Sequence, residues 1–143
     1  MSRRTAIASA LGTMLSASGT GFLTVKTVNN ADNKYPYDLD HQQLPAIKLY
    51  FADEGIKYGA SLRALNKLAI DFYIYSIEWD KDTVATEEGL LKSFRDVVGN
   101  DISLLRTAED LSIRSIIKME VQYPLVMYKV NADVIYEESI RNL

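Results

Sequence analysis

Two long runs of alternating residues constrain this chain more than any other feature. Between Leu65 and Trp79, Leu68, Ile70, Phe72 and Ile74 share one parity, while Lys67, Asp71, Tyr73 and Tyr75 share the other. Further on, Val126, Tyr128, Val130, Ala132, Val134 and Tyr136 alternate with Met127, Lys129, Asn131, Asp133 and Glu137. Successive strand side chains point to opposite faces, so a period of two predicts extended segments with one apolar face. A third run, "SIRSIIKMEVQY", sets Ile113, Ile117, Met119, Val121 and Tyr123 against Arg114, Lys118, Glu120 and Gln122, and Pro124 marks a break after it. Alternation on this scale predicts antiparallel strands with one covered face and one open face.

The remaining elements follow from period and punctuation. Ile7, Ala10, Leu11, Met14 and Leu15 recur at helical spacing, predicting a first helix from Arg3 to Ala17 that ends at Gly19 or Gly21. The paired Arg3 and Arg4 loosely imitate an export signal, but the apolar stripe favours an amphipathic helix. "FLTVKTV" (Phe22–Val28) reads as a strand. A polar connection follows, and then a short strand in which Ile47, Leu49 and Phe51 oppose Lys48 and Tyr50, with Pro45 at its start. Gly55 and Gly59 mark Asp53–Ser61 as a turn or flexible arm. "DKDTVATEEGLLKSFRDVVGN" predicts a second helix, capped by Thr83 or Thr86 and closed by Gly99. Glu87 and Glu88 sit in its first turn, and Leu90, Leu91, Phe94, Val97 and Val98 form its buried stripe. The order α-β-β-β-α-β-β predicts one α+β domain over 1–143: an antiparallel sheet of about five strands, with two helices mainly on one face.

Bulk properties narrow the function. A chain of 143 residues buries roughly two-thirds of the surface exposed in its unfolded form, enough to fold without a metal or disulfide. The absence of cysteine removes disulfides and thiolate metal sites, and the net charge of −3 argues against nucleic-acid binding. No apolar run approaches the ~20 residues of a membrane-spanning helix.

Catalytic chemistry finds few parts. "SGTGF" lacks the lysine and the preceding strand of a phosphate loop, and no G-x-S-x-G elbow is present. The single histidine, His41, stands beside Asp38 and Asp40 in "DLDH", a set a divalent cation could use. It has no second histidine at ligand spacing, and a polar loop leading into a strand is the simpler reading. The carboxylate pairs Asp53–Glu54, Glu87–Glu88 and Glu137–Glu138 fall in a turn, at a helix start and near the C-terminus. None forms an opposed pair fit for acid–base work. No catalytic, cofactor or metal residue is therefore assigned.

What remains is surface for contact. Tyr73, Tyr75 and Trp79 lie off the Leu68–Ile74 face, and Tyr50 and Met127 point off their own strands' apolar faces. Large aromatics on an open sheet face are common at interfaces. The alternative is that they pack beneath helices or loops, with a bulge near Ser76 turning Ile77 and Trp79 inward. The glycine-marked arm adds Asp53, Glu54, Lys57 and Tyr58 as candidate interface residues.

The element order, together with the segments "LPAIKLYFADEG", "LAIDFYIYSIEW" and "YKVNADVIYE", resembles the tail terminator (tail-to-head joining) proteins of long-tailed bacteriophages from Arg3 to Glu138. The resemblance implies a structural virion protein without catalytic activity or cofactor, assembled in the host cytoplasm. It would form a six-membered ring on the tail tube, stop tube polymerisation and present a surface to the head–tail connector or neck protein. It implies no membrane association and no sequence-specific nucleic-acid binding. The alternatives are another phage neck or tail-completion adaptor, and a small ligand- or metal-binding α+β domain with a concave pocket.

Overall fold

The computed structural model describes residues 3–17, 22–28, 44–58, 63–77, 84–100, 104, 108, 110–119 and 125–139, with side chains described at 5–17, 22–28, 44–51, 66–76, 91–99, 104, 108, 110–119 and 125–136. The elements are α1 (Arg3–Ser16), β1 (Thr24–Val28), β2 (Ala46–Tyr58), β3 (Arg63–Ile77), α2 (Val84–Asn100), β4 (Asp110–Met119) and β5 (Leu125–Ser139). The five strands form one sheet in the order β1-β2-β3-β5-β4. The α+β class and element order match the expectation, with one difference. β1 runs parallel to β2, with Thr24 beside Ala46 and Val28 beside Tyr50, so the sheet is mixed.

β3 is the centre. It pairs antiparallel with β5 without interruption from Arg63↔Ser139 to Ile77↔Leu125. On its other side it pairs with β2 from Ala46↔Tyr75 to Tyr58↔Ala64. The expected short second strand is therefore long, and its end falls in the stretch expected to be an arm: Asp53–Tyr58 is paired strand, and Gly55 sits opposite Lys67. Non-local pairing with β3 overrides the local glycine signal. Pairing continues through Ser76↔Val126, so no bulge forms near Ser76. The irregularities lie instead between Phe51 and Asp53 and between Ile113 and Ser115.

The second bulge changes which residues face the core. Ile113 lies beside Ala132, but past Arg114 it is Ile116 that meets Val130, while Ile117 meets Lys129 and Met119 meets Met127. Ile113 and Ile116 pack on the helix-side core, Met119 packs on the opposite face, and Ile117 is 49% exposed. One extra residue inverts the parity of everything beyond it, so the simple alternation assigned Ile117 and Met119 to the wrong side.

Both helices contribute to the principal core. Ile7, Ala10, Leu11 and Leu15 of α1 and Phe94 and Val98 of α2 join Ile47, Leu49, Leu68, Ile70, Phe72, Ile74, Val130, Ala132, Val134 and Tyr136 from the sheet. The α1 stripe, including Met14 at its margin, agrees with the helical spacing. On the exposed side of α1, the Thr13 hydroxyl donates to the Ser9 carbonyl (3.0 Å), a bond one turn back that suits a solvent-facing threonine. Phe94 meets Phe72 edge-on, with centroids 4.9 Å apart and planes at 60°, which anchors α2 over the central strand. α2 begins at Val84 and continues through Gly99 to Asn100, so Thr86 lies inside the helix and Gly99 does not end it. Thr83 and the Gly19 and Gly21 stops lie outside the described residues. Leu104 adopts a left-handed backbone (φ 50°) with its side chain fully buried in the same core. Strain on the order of 1 kcal/mol at such a residue is offset by burial of the leucine.

Truncating the Phe72–Phe94 contact tests this arrangement. Phe94→Ala is expected to lower unfolding free energy by about 3–5 kcal/mol in guanidinium titrations, the range for a buried phenylalanine. Substitution at exposed Lys92 of the same helix is expected to cost less than about 0.5 kcal/mol.

Candidate functional site

The face of the sheet turned away from the helices has two parts. One is apolar: Leu44, Ala46, Tyr73, Tyr75 and Met127 form a second buried cluster, with Tyr50, Met119 and Leu125 packed at its margin. Register explains the grouping, since Ala46, Tyr75, Met127 and Met119 stand in one row across four strands. The Leu44–Pro45 peptide that leads into this row is cis, and the Pro45 carbonyl accepts the Leu23 N–H at 2.8 Å, which ties the entry of β1 to that of β2.

Lys48 enters the same cluster and is 1% exposed. Its ammonium stands 5.7 Å from the centroid of the Tyr75 ring. A cation over an aromatic face in a desolvated setting contributes about 2 kcal/mol. Lys129 makes a similar approach to Tyr73, its cross-strand neighbour, at 5.9 Å.

The other part is charged. The Asp133 carboxylate is 2.9 Å from Arg114 Nε and 3.6 Å from Lys67 Nζ, while Lys129 Nζ lies 3.9 Å from Asp71. Asn131 donates through Nδ2 to Ser115 Oγ at 2.7 Å. The carboxylates of this network are mostly buried, whereas Arg114 and Lys67 keep about half of their side chains in water. Arg114 is the residue skipped by the register shift between Ile113 and Ser115, and its guanidinium lies beside Asp133. Among the described residues, no group of three or more His, Cys, Asp and Glu side chains gathers as a metal ion needs. No helix among them is long and apolar enough to cross a membrane.

Of the two readings of the aromatic residues, open face or packed, the single chain shows packing at Tyr73, Tyr75 and Met127. Tyr73, Tyr75 and Met127 are buried in the single chain and present no free surface, because these large side chains stack on each other and on Ala46 and Leu44 across the strands. Tyr50 is half-buried at the cluster's edge. Asp53, Glu54, Lys57 and Tyr58 lie on β2, in register with Ala69, Leu68, Leu65 and Ala64. Trp79, Asp38, Asp40 and His41 lie outside the described residues. Alternation alone places Lys67 and Asp71 on one face of their strand and Lys129 and Asp133 on one face of theirs, but does not set them side by side. The missing information was the register that sets them side by side.

The sheet also has strand edges. β1 pairs with β2 only from Ala46 to Tyr50, so among the described residues no strand pairs with Asp53–Tyr58 on the side away from β3. β4 closes the opposite end of the sheet, with its outer edge bordered by no other described strand. There Asp110 Oδ1 accepts the Leu111 N–H at 2.9 Å, a carboxylate turned back onto its own strand, one way an exposed edge is blunted. Compared with known families and curated proteins, the sequence matches no family model and no curated protein.

The Asp133 network gives a direct test. A double-mutant cycle with Asp133→Ala and Arg114→Ala is expected to return a coupling of about 0.2–1 kcal/mol in urea unfolding at low salt. That coupling is expected to shrink at 1 M salt, because the guanidinium is half in water. Lys67→Ala is expected to have a smaller effect, given its longer contact and exposure.

Proposed function

We propose that this protein is a ring-forming structural subunit of the phage tail-terminator type, which caps a tail tube and offers a joining surface to the connector above it. The observation that carries this reading is the pair of strand edges. β2 and β4 lie toward opposite sides of the sheet, and they run in opposite directions because β2 and β5 are each antiparallel to β3 and β4 is antiparallel to β5. Two different edges on one subunit allow heterologous contacts, which close into a ring when the rotation permits. The resemblance of the "LPAIKLYFADEG" and "YKVNADVIYE" segments to terminators supports the same reading, and both segments lie on the strands that build this sheet, β2 and β5. In this role the protein works through its surfaces in the virion neck, with tube protein on one side and connector on the other.

Electron microscopy of the concentrated protein, alone and mixed with phage tail tubes, tests the reading. Rings with six-fold symmetry, or caps seated at tube ends, are the expected result. A protein that stays monomeric at high concentration and leaves tube ends bare contradicts it.

A further inference from the structure

We propose that the ring closes through the terminal strands of the sheet: Ser115–Met119 of β4 in one copy pairs antiparallel with Thr24–Val28, the whole of β1, in the next. This rests on the ring reading above and specifies its contact. β1 and β4 stand at the two ends of the sheet, and among the described residues no further strand pairs with the outer side of either. β1 is parallel to β2, β2 and β5 are both antiparallel to β3, and β4 is antiparallel to β5. The two terminal strands therefore run in opposite senses. A rotation whose axis runs along the strands keeps the sense of each strand, so β4 of one copy meets β1 of the next antiparallel.

Two separate conditions select the same register. The first is symmetry. A closed ring has no rise along its axis, so with strands along that axis each row of residues meets the same row in the neighbour. One row is Thr24-Ala46-Tyr75-Met127-Met119, and another is Val28-Tyr50-Asp71-Asn131-Ser115. Continued into the next copy, these rows set Thr24 opposite Met119, Lys26 opposite Ile117 and Val28 opposite Ser115 on the face away from the helices. Val25 then meets Lys118 and Thr27 meets Ile116 on the helix side. The second condition is length. β1 has five residues, and the register shift at Ile113/Ser115 leaves Ser115–Met119 as the matching regular stretch of β4. Only this register pairs all of one segment with all of the other. A slip by two drives Thr27 and Val28 onto the shift, or carries Thr24 and Val25 past the end of β4. A slip by one exchanges faces.

The side chains of both segments suit this junction. Neither segment contains a proline or a bulge, two of the devices that keep an exposed edge from pairing. The other half of β4 does carry such devices, in the shift at Arg114 and the Asp110 carboxylate turned onto the Leu111 N–H. The charges of the two segments, Lys26 and Lys118, stand on opposite faces, so no like charges meet across the junction. Ile117 is 49% exposed in the single chain. In the junction it is covered by the Lys26 stem, with Thr24 and Val28 to either side. Thr27 and Ile116 add a β-branched pair across the strands. Past Val28, the neighbour's Asp110–Ser112 stand level with Asp53–Gly55 of β2, one strand position beyond the line of β1. The margin of β2 thus lies inside the assembled sheet and not at its rim.

The absence of cysteine makes the test clean. Within one chain Lys26 and Ile117 stand in one row but on the two terminal strands. Four strand spacings separate them, about 19 Å, beyond the reach of a disulfide. The variant Lys26→Cys/Ile117→Cys is oxidised at a concentration where the unmodified protein forms rings, or on tail tubes. The control is Lys26→Cys/Ser112→Cys, on the same face but about 13 Å out of register along the strand. The expected result is a ladder of covalent multimers from the first variant, with about tenfold less from the control. Equal crosslinking in both, or crosslinking in the control alone, overturns the pairing. Rings that form without the Lys26–Ile117 crosslink overturn the pairing and leave the ring reading standing. Crosslinked open chains uphold the pairing and defeat the ring reading, whereas loss of rings and crosslinks in a normally folded protein defeats both. A second comparison needs no cysteine. Ile117→Lys sets like charges opposite each other at Lys26 and is expected to raise the concentration needed for assembly about fivefold. Ile117→Glu, which meets Lys26 with the opposite charge, is expected to assemble as the unmodified chain does. Both replace an exposed side chain, so both are expected to fold. Equal effects of the two charges overturn the pairing.

Discussion

The unbroken register between β3 and β5 determines the rest of this structure. It assigns both faces of the two central strands: Leu68, Ile70 and Phe72 stand beside Val134, Ala132 and Val130 on the helix side, while Ala69, Asp71 and Tyr73 stand beside Asp133, Asn131 and Lys129 on the other. A shift of one residue would turn the apolar set of β5 away from the helices and bring its charged set beneath them. Such a slip strands Asp133 and Lys129 in the core without partners, so the hydrophobic and ionic halves of the sheet enforce the same alignment.

From that alignment the two faces acquire different roles. The helix side supplies the bulk of apolar burial, with residues of α1 and α2 in one core with Ile70, Phe72 and Val130. The other side combines a smaller apolar layer around Tyr75 and Met127 with charged residues held in fixed pairs. Tyr73 and Tyr75 are buried within the single chain. Among the described residues the strand margins stay unpaired where β2 outruns β1 and along the outer side of β4. Assembly through edges suits a subunit whose core is already complete in the single chain.

Much of this was legible from residue order alone, and the exceptions have definite causes. Period-two alternation identified β3 and β5 with their correct faces, since both strands are long and regular. The helical stripes of α1 and α2 were equally plain. Three features were not legible. The parallel partnership of β1 depends on topology, which no local pattern encodes. The extension of β2 through Gly55 depends on β3 supplying partners, and a glycine there reads locally as a turn. The parity change at Arg114 inserts a single residue into a run that otherwise alternates well. As for the contact surface, the aromatic residues pointed to one, but side-chain type cannot reveal whether neighbouring strands cover it.

The most direct test of assembly through strand edges is hydrogen exchange, residue by residue, in dilute monomer and in assembled protein. The account predicts that slowed exchange on assembly appears in two separate places, along β1 and β2 beyond Phe51 and along β4, while the interior amides of β3 stay as protected as before. An assembled protein in which both edges exchange as fast as in the monomer, with new protection elsewhere, would contradict it.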